Sequence, residues 1–123
     1  MSDLACLEFA VALWLVHLLL QAWLAGAPLA WTASARDEPA PLTVIGGRAA
    51  RAFRNYMESF PVFAALTLAF LATNHPAGIW PTVWVVARIV YLPLYLAGVP
   101  YVRSIVWAVS FFALIAMLIR LAL

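Results

Sequence analysis

The chain of 123 residues has no lysine, a single cysteine and only 10% charged residues. A soluble domain of ordinary composition is about a quarter charged. So few charges leave too little polar surface to face water, which excludes a cytosolic globular enzyme, a disordered tail and a nucleic-acid-binding module. All seven basic residues are arginine, scattered or near segment ends, and the net charge is only +2. No polybasic run marks a nucleic-acid or lipid-headgroup partner. The lone Cys6 can form neither an intramolecular disulfide nor a cysteine-based metal cluster. The two histidines, His17 and His75, lie far apart and make no metal site. No stretch alternates with period two over strand length, which argues against a membrane β-barrel.

What is present is apolar: 67% of residues are hydrophobic, and the mean hydropathy is +1.02. That is the composition of an integral membrane protein. A helix crosses the ~30 Å hydrocarbon core with roughly 20 apolar residues, so the length suits about four helices and short links. The expected helices cover residues 4–31, 48–74, 79–97 and 101–123, in one domain. Ala33-Ser34-Ala35 resembles a signal-peptide cleavage site, but the apolar run before it is too long, and Asp3 and Glu8 stand where a basic cluster belongs. The first segment is therefore read as a retained transmembrane helix. Gly46-Gly47 closes the polar link after it, His75-Pro76-Ala77-Gly78 makes a short turn, and Gly98-Val99-Pro100 breaks the chain again. The fold class is an all-α, up-down, four-helix membrane bundle. Arg36, Arg48, Arg51 and Arg54 crowd the first link and the turns after it, and Arg103 follows the third link. The positive-inside rule puts those links in the cytoplasm and both termini outside, with Arg120 the one dissenting charge.

The scarce charges form a pattern. Arg48, Arg51, Asn55 and Glu58 recur at intervals of three and four, so they share one helical face, with Arg54 beside it. At about 1.5 Å per residue, Glu58 lies roughly 10 Å deeper than Arg51. In the third segment Arg88, Tyr91 and Tyr95 repeat the spacing, with Arg88 near the depth of Glu58. An unpaired ion at that depth costs several kcal/mol, and a Glu58–Arg88 ion pair is the simplest remedy. Such a pair can serve merely to fix helix register. Register alone does not call for Arg51, Arg54, Asn55, Tyr91, Tyr95 and Arg103 in the same half of the membrane. Guanidinium donors, phenols, an amide and one carboxylate suit a small zwitterionic ligand with several carboxylates. His17 and Gln21, one turn apart, read as hydrogen-bonding across helices.

The second segment reads R-x-x-R-A-x-x-N-x-x-E-x-x-P-x-F from Arg48 to Phe63, and the later segments add Arg88-x-x-Tyr91-x-x-x-Tyr95 and Arg103-Ser104. This resembles the signature of the MAPEG family, the membrane-associated proteins in eicosanoid and glutathione metabolism, in a short bacterial-type form. The resemblance implies a homotrimer in a bacterial inner membrane, holding glutathione between neighbouring subunits near the cytoplasmic face. Arg51, Arg54, Asn55 and Glu58 would contact the tripeptide, Glu58 taking its amino group and the arginines its carboxylates. Tyr91 and Tyr95 would line the pocket from the adjacent chain. Arg103 would lie by the sulfur, with Ser104 as a hydrogen-bond donor to it. A guanidinium near a thiol stabilises the thiolate, the nucleophilic form. The resemblance thus implies glutathione conjugation or peroxide reduction on a lipophilic small-molecule substrate arriving from the bilayer. Two other readings stand beside it: a non-catalytic lipid- or glutathione-binding scaffold, and a small four-helix multidrug transporter. The transporter would carry its working carboxylate deep in the first helix, whereas Glu8 lies at the membrane edge.

Overall fold

The computed structural model describes residues Met1–Leu123 and is wholly helical. Its elements are α1 (Asp3–Leu24), α2 (Leu29–Thr32), α3 (Val44–Thr73), α4 (Trp80–Leu96) and α5 (Tyr101–Ala122). Ser2 opens α1 by accepting the Ala5 N–H on its hydroxyl at 3.1 Å, and Asp3 sits in the first turn. Both satisfy the positive end of the helix. The helix stops at Leu24 rather than continuing to residue 31. Gly26 adopts left-handed backbone at φ +63°, and Pro28 cannot continue the ladder, so the apolar run breaks into α1 and the single-turn α2.

In contrast, α3 begins earlier than the sequence suggested. Thr43 caps it, its Oγ1 accepting the Gly46 N–H at 3.0 Å, so Gly46 and Gly47 lie in the first turn instead of ending a loop. The same Thr43 hydroxyl donates to the Leu24 carbonyl at 2.7 Å, and the Thr43 N–H donates to that of Ala25 at 3.2 Å. The end of α1 and the start of α3 are thereby clamped together. Asn74, in left-handed backbone at φ 52°, closes α3, and Pro81 lies in the first turn of α4. Gly98 at φ +73° and Pro100 separate α4 from α5.

Three helices, α1, α3 and α5, are long and apolar enough to cross a membrane, and α4 is a shorter apolar helix of 17 residues. At 30 residues α3 is about 45 Å long, more than the ~30 Å core, so its arginine-bearing first turns can project beyond the hydrocarbon. The outer surface is apolar: Leu19 is 67% exposed, Trp23 79% and Phe112 63%. Side chains of that size facing outward together suit lipid rather than water.

Inside, α1 lies against α3 and α4 against α5, with α3–α4, α1–α4 and α3–α5 contacts joining the pairs. Phe63 of α3 and Trp84 of α4 stack with centroids 3.9 Å apart and planes 10° from parallel, both fully buried. Tyr56 donates its hydroxyl to the Ala10 carbonyl at 2.6 Å, tying α3 to α1. His17 is buried without a hydrogen-bond partner on either nitrogen. It stacks on Tyr56 at 4.7 Å, so its place in the core is that of an aromatic ring rather than the expected bridging group. At one end the Ala77 N–H meets Asp3 at 3.3 Å and Arg120 donates to the Pro76 carbonyl at 2.7 Å. At the other, Arg48 donates to the Leu96 carbonyl at 3.1 Å.

Candidate functional site

The polar face of α3 is built by its spacing, and α4 and α5 close over it. A cavity of about 360 Å³ opens between them, lined by Arg51, Arg54, Asn55 and Glu58 of α3, Tyr91 and Tyr95 of α4, and Arg103, Ser104 and Trp107 of α5. The eight residues singled out for a ligand are thus brought to one cavity. They come from a single chain: Tyr91 and Tyr95 share the cavity with the arginines of their own α3, because α3 packs on both α4 and α5. Trp107 is a lining residue that the polar pattern of the sequence does not single out. Its position one helical turn after Arg103 carries the signal that places it here.

The guanidinium of Arg103 lies 4.7 Å from the Tyr95 ring centroid, a cation–π contact that holds it at the cavity wall. Tyr91 and Tyr95 pack with their rings 5.5 Å apart. Three guanidinium groups against the single Glu58 carboxylate leave the cavity strongly cationic. A further hollow of about 360 Å³ at its mouth adds Arg48, Gly98 and Pro100 to Arg51, Tyr95 and Arg103, without an acid. The cavity therefore favours an anion with more than one acidic group, together with one amine for Glu58.

Arg88 behaves differently from the expectation. It is fully buried, and its Nη2 donates to Asn55 Oδ1 at 2.7 Å, while Nε and Nη1 have no hydrogen-bond partner. The ion pair with Glu58 is replaced by this amide bond. Glu58 is exposed toward the cavity, and the half-buried Asn55, one turn earlier, is the side chain that meets α4. Three rings surround the guanidinium, Tyr91 at 4.7 Å, Tyr56 at 5.5 Å and Trp84 at 6.0 Å, and their π faces take the place of a counter-ion.

An apolar groove of about 350 Å³ between α3 and α5 adjoins the cavity, and Asn55, Glu58 and Trp107 line both. Beyond them the groove runs over Val62, Leu66, Phe111, Leu114, Ile115 and Leu118. A cationic depression and an apolar one therefore adjoin at Asn55, Glu58 and Trp107. No group of three or more histidine, cysteine, aspartate or glutamate side chains could hold a metal ion.

These features define an all-helical membrane protein with a cationic, phenol-lined cavity beside an apolar groove. The chain belongs to the MAPEG family, whose family model matches residues 6–123, nearly the whole chain. That family includes glutathione-dependent transferases and peroxidases. No curated protein and no solved structure matches the chain.

Proposed function

We propose that this chain is a membrane-embedded glutathione-dependent transferase or peroxidase acting on a lipophilic electrophile or hydroperoxide. The observation that carries the reading is the shared wall of the two depressions: a cationic cavity with one carboxylate meets an apolar groove at Asn55, Glu58 and Trp107. A zwitterionic thiol fits the first and a lipid-borne reactant fits the second. In this reading Glu58 receives the amine of glutathione, Arg51 and Arg54 its carboxylates, and Tyr91 and Tyr95 flank it. Arg103 stands by the sulfur and favours its thiolate, and the Ser104 hydroxyl donates to it. In conjugation the thiolate forms a C–S bond, and the displaced group leaves with its electron pair. In peroxide reduction the thiolate attacks the terminal peroxide oxygen, the O–O bond breaks and the rest leaves as an alcohol after taking a proton, and a second glutathione displaces water from the resulting sulfenic acid to give the disulfide.

We further infer four membrane-crossing helices in an up-down bundle, a homotrimer, and a bacterial inner membrane with the site toward the cytoplasm and both termini outside. The ties of Asp3 to Ala77 and of Arg120 to Pro76 at one end, and of Arg48 to Leu96 at the other, support the alternation of directions. The arginines gathered at the α1–α3 link support the orientation.

The test is glutathione binding to the purified protein in detergent, with ultraviolet detection of thiolate, followed by a panel of hydrophobic electrophiles and hydroperoxides. Binding with a raised thiolate signal and turnover is expected. Absence of binding refutes the reading; binding without turnover on the panel supports the scaffold alternative instead.

A further inference from the structure

Arg88 touches neither cavity, yet it is the most deeply buried charge in the chain, and its one hydrogen bond goes to a residue that lines both. We propose that Arg88 is a positioning residue: it locks the Asn55 amide with its oxygen inward and its N–H2 toward the cavity, so that this position recognises only a hydrogen-bond acceptor. The proposal rests on the glutathione reading for the identity of the ligand, but not for the lock itself.

The orientation follows from donor and acceptor chemistry. An asparagine amide is two-faced, and its oxygen and nitrogen are hard to tell apart by shape. A guanidinium resolves the choice, because it carries five N–H donors and no acceptor, so only Oδ1 can face it. The bond is short, 2.7 Å, and charge-assisted. It also has no competitor. The rings of Tyr56, Trp84 and Tyr91 enclose the guanidinium without offering an acceptor in hydrogen-bond reach, and Nε and Nη1 remain unpartnered. With its other two nitrogens unmatched, the guanidinium holds the single acceptor it has in a setting of low dielectric.

The consequence is a specificity rule. Glu58, one turn further along α3, is an acceptor when ionised and takes a donor such as an amine. Asn55, with its oxygen turned inward to Arg88, presents its N–H donors to the cavity. The pair offers a donor and an acceptor one turn apart, and a ligand must bring a carboxylate or amide carbonyl to the first and an amine to the second. Without Arg88 the Asn55 amide turns freely, and the rule is lost at that position.

The experiment uses the full chain in detergent. The chain has two asparagines, Asn55 and Asn74, so selective 15N labelling of asparagine gives two side-chain amide pairs. Arg88→Met is expected to shift or broaden the Asn55 pair and leave that of Asn74 in place; an unmoved Asn55 pair overturns the proposal whether or not glutathione binds. For the ligand, Arg88→Met is expected to weaken glutathione binding about tenfold, the size of one charge-assisted hydrogen bond, in the wild-type background. In an Asn55→Ala background it is expected to change binding less than about twofold, because Arg88 acts through Asn55. Equal losses in both backgrounds overturn the proposal. Asn55→Asp keeps an acceptor for Arg88 but removes both N–H donors, and it does not depend on the folding of any Arg88 variant. It is expected to weaken glutathione binding to the same extent as Asn55→Ala while keeping its melting temperature; wild-type binding by Asn55→Asp overturns the donor-only rule. A wild-type protein that binds no glutathione refutes the ligand assignment, and the amide resonances then decide the lock on their own.

Discussion

Replacing Gly46 by alanine perturbs the clamp between α1 and α3 at one atom. A Cβ at Gly46 would lie 2.5 Å from the Leu24 carbonyl oxygen and 2.8 Å from Ala25 Cα, both backbone atoms. To reach ordinary contact the end of α1 must retreat by about 0.9 Å. Thr43 now donates to the Leu24 carbonyl at 2.7 Å and to that of Ala25 at 3.2 Å, and such a retreat takes both beyond hydrogen-bond length. Two bonds at about 1 kcal/mol each are lost. Overpacking adds about 1–3 kcal/mol, and the better helix propensity of alanine returns up to about 1 kcal/mol. The expected net loss is about 2–5 kcal/mol, read as a lower midpoint for unfolding in detergent. Gly47→Ala is the control. Its Cβ would meet the flexible end of Arg51 at 3.3 Å and nothing of the backbone, so stability is expected to hold or rise by up to about 1 kcal/mol. A Gly46→Ala protein as stable as wild type, or a Gly47→Ala protein equally weakened, refutes the reasoning.

Three further outcomes follow from the site and the core. Arg103→Ala is expected to cut turnover roughly a hundredfold, with the thiolate signal of bound glutathione lost, as for removal of one donor from a developing anion; unchanged turnover removes the role given to Arg103. Glu58→Gln is expected to weaken glutathione binding about tenfold, and an analogue lacking the amino group should bind variant and wild type alike. Phe63→Ala removes one face of the buried stack with Trp84 and is expected to cost about 3 kcal/mol of stability. Thermal unfolding in detergent checks it, and a loss within about 0.5 kcal/mol means that the core collapses around the gap.

The site was more legible in the sequence than the ends of the helices were. Arg51, Asn55 and Glu58 announce a shared face because helical spacing is local, and Tyr91, Tyr95 and Arg103 join them because few polar residues exist to fill such a face. The end of α1 was hidden because Ala25 to Trp31 is apolar, and polarity was the cue for helix ends; the break lies in the backbone of Gly26 and Pro28. Gly46-Gly47 resembled a loop because glycine is a poor helix former. It lies in α3 because Gly46 touches the Leu24 carbonyl, a long-range contact that no local pattern records. Arg88 pairs with Asn55 rather than Glu58 for the same kind of reason. The two residues stand one turn apart on one face, and which of them meets α4 depends on how α3 and α4 are rotated against each other.

The wall shared by Asn55, Glu58 and Trp107 also sets the units in which this protein would be measured. On the glutathione reading, one reactant comes from water and is counted in moles per litre. The other is dissolved in the bilayer and is counted as a mole fraction of lipid. Adding plain lipid at fixed total substrate would then slow the reaction by surface dilution, although no bulk concentration had changed.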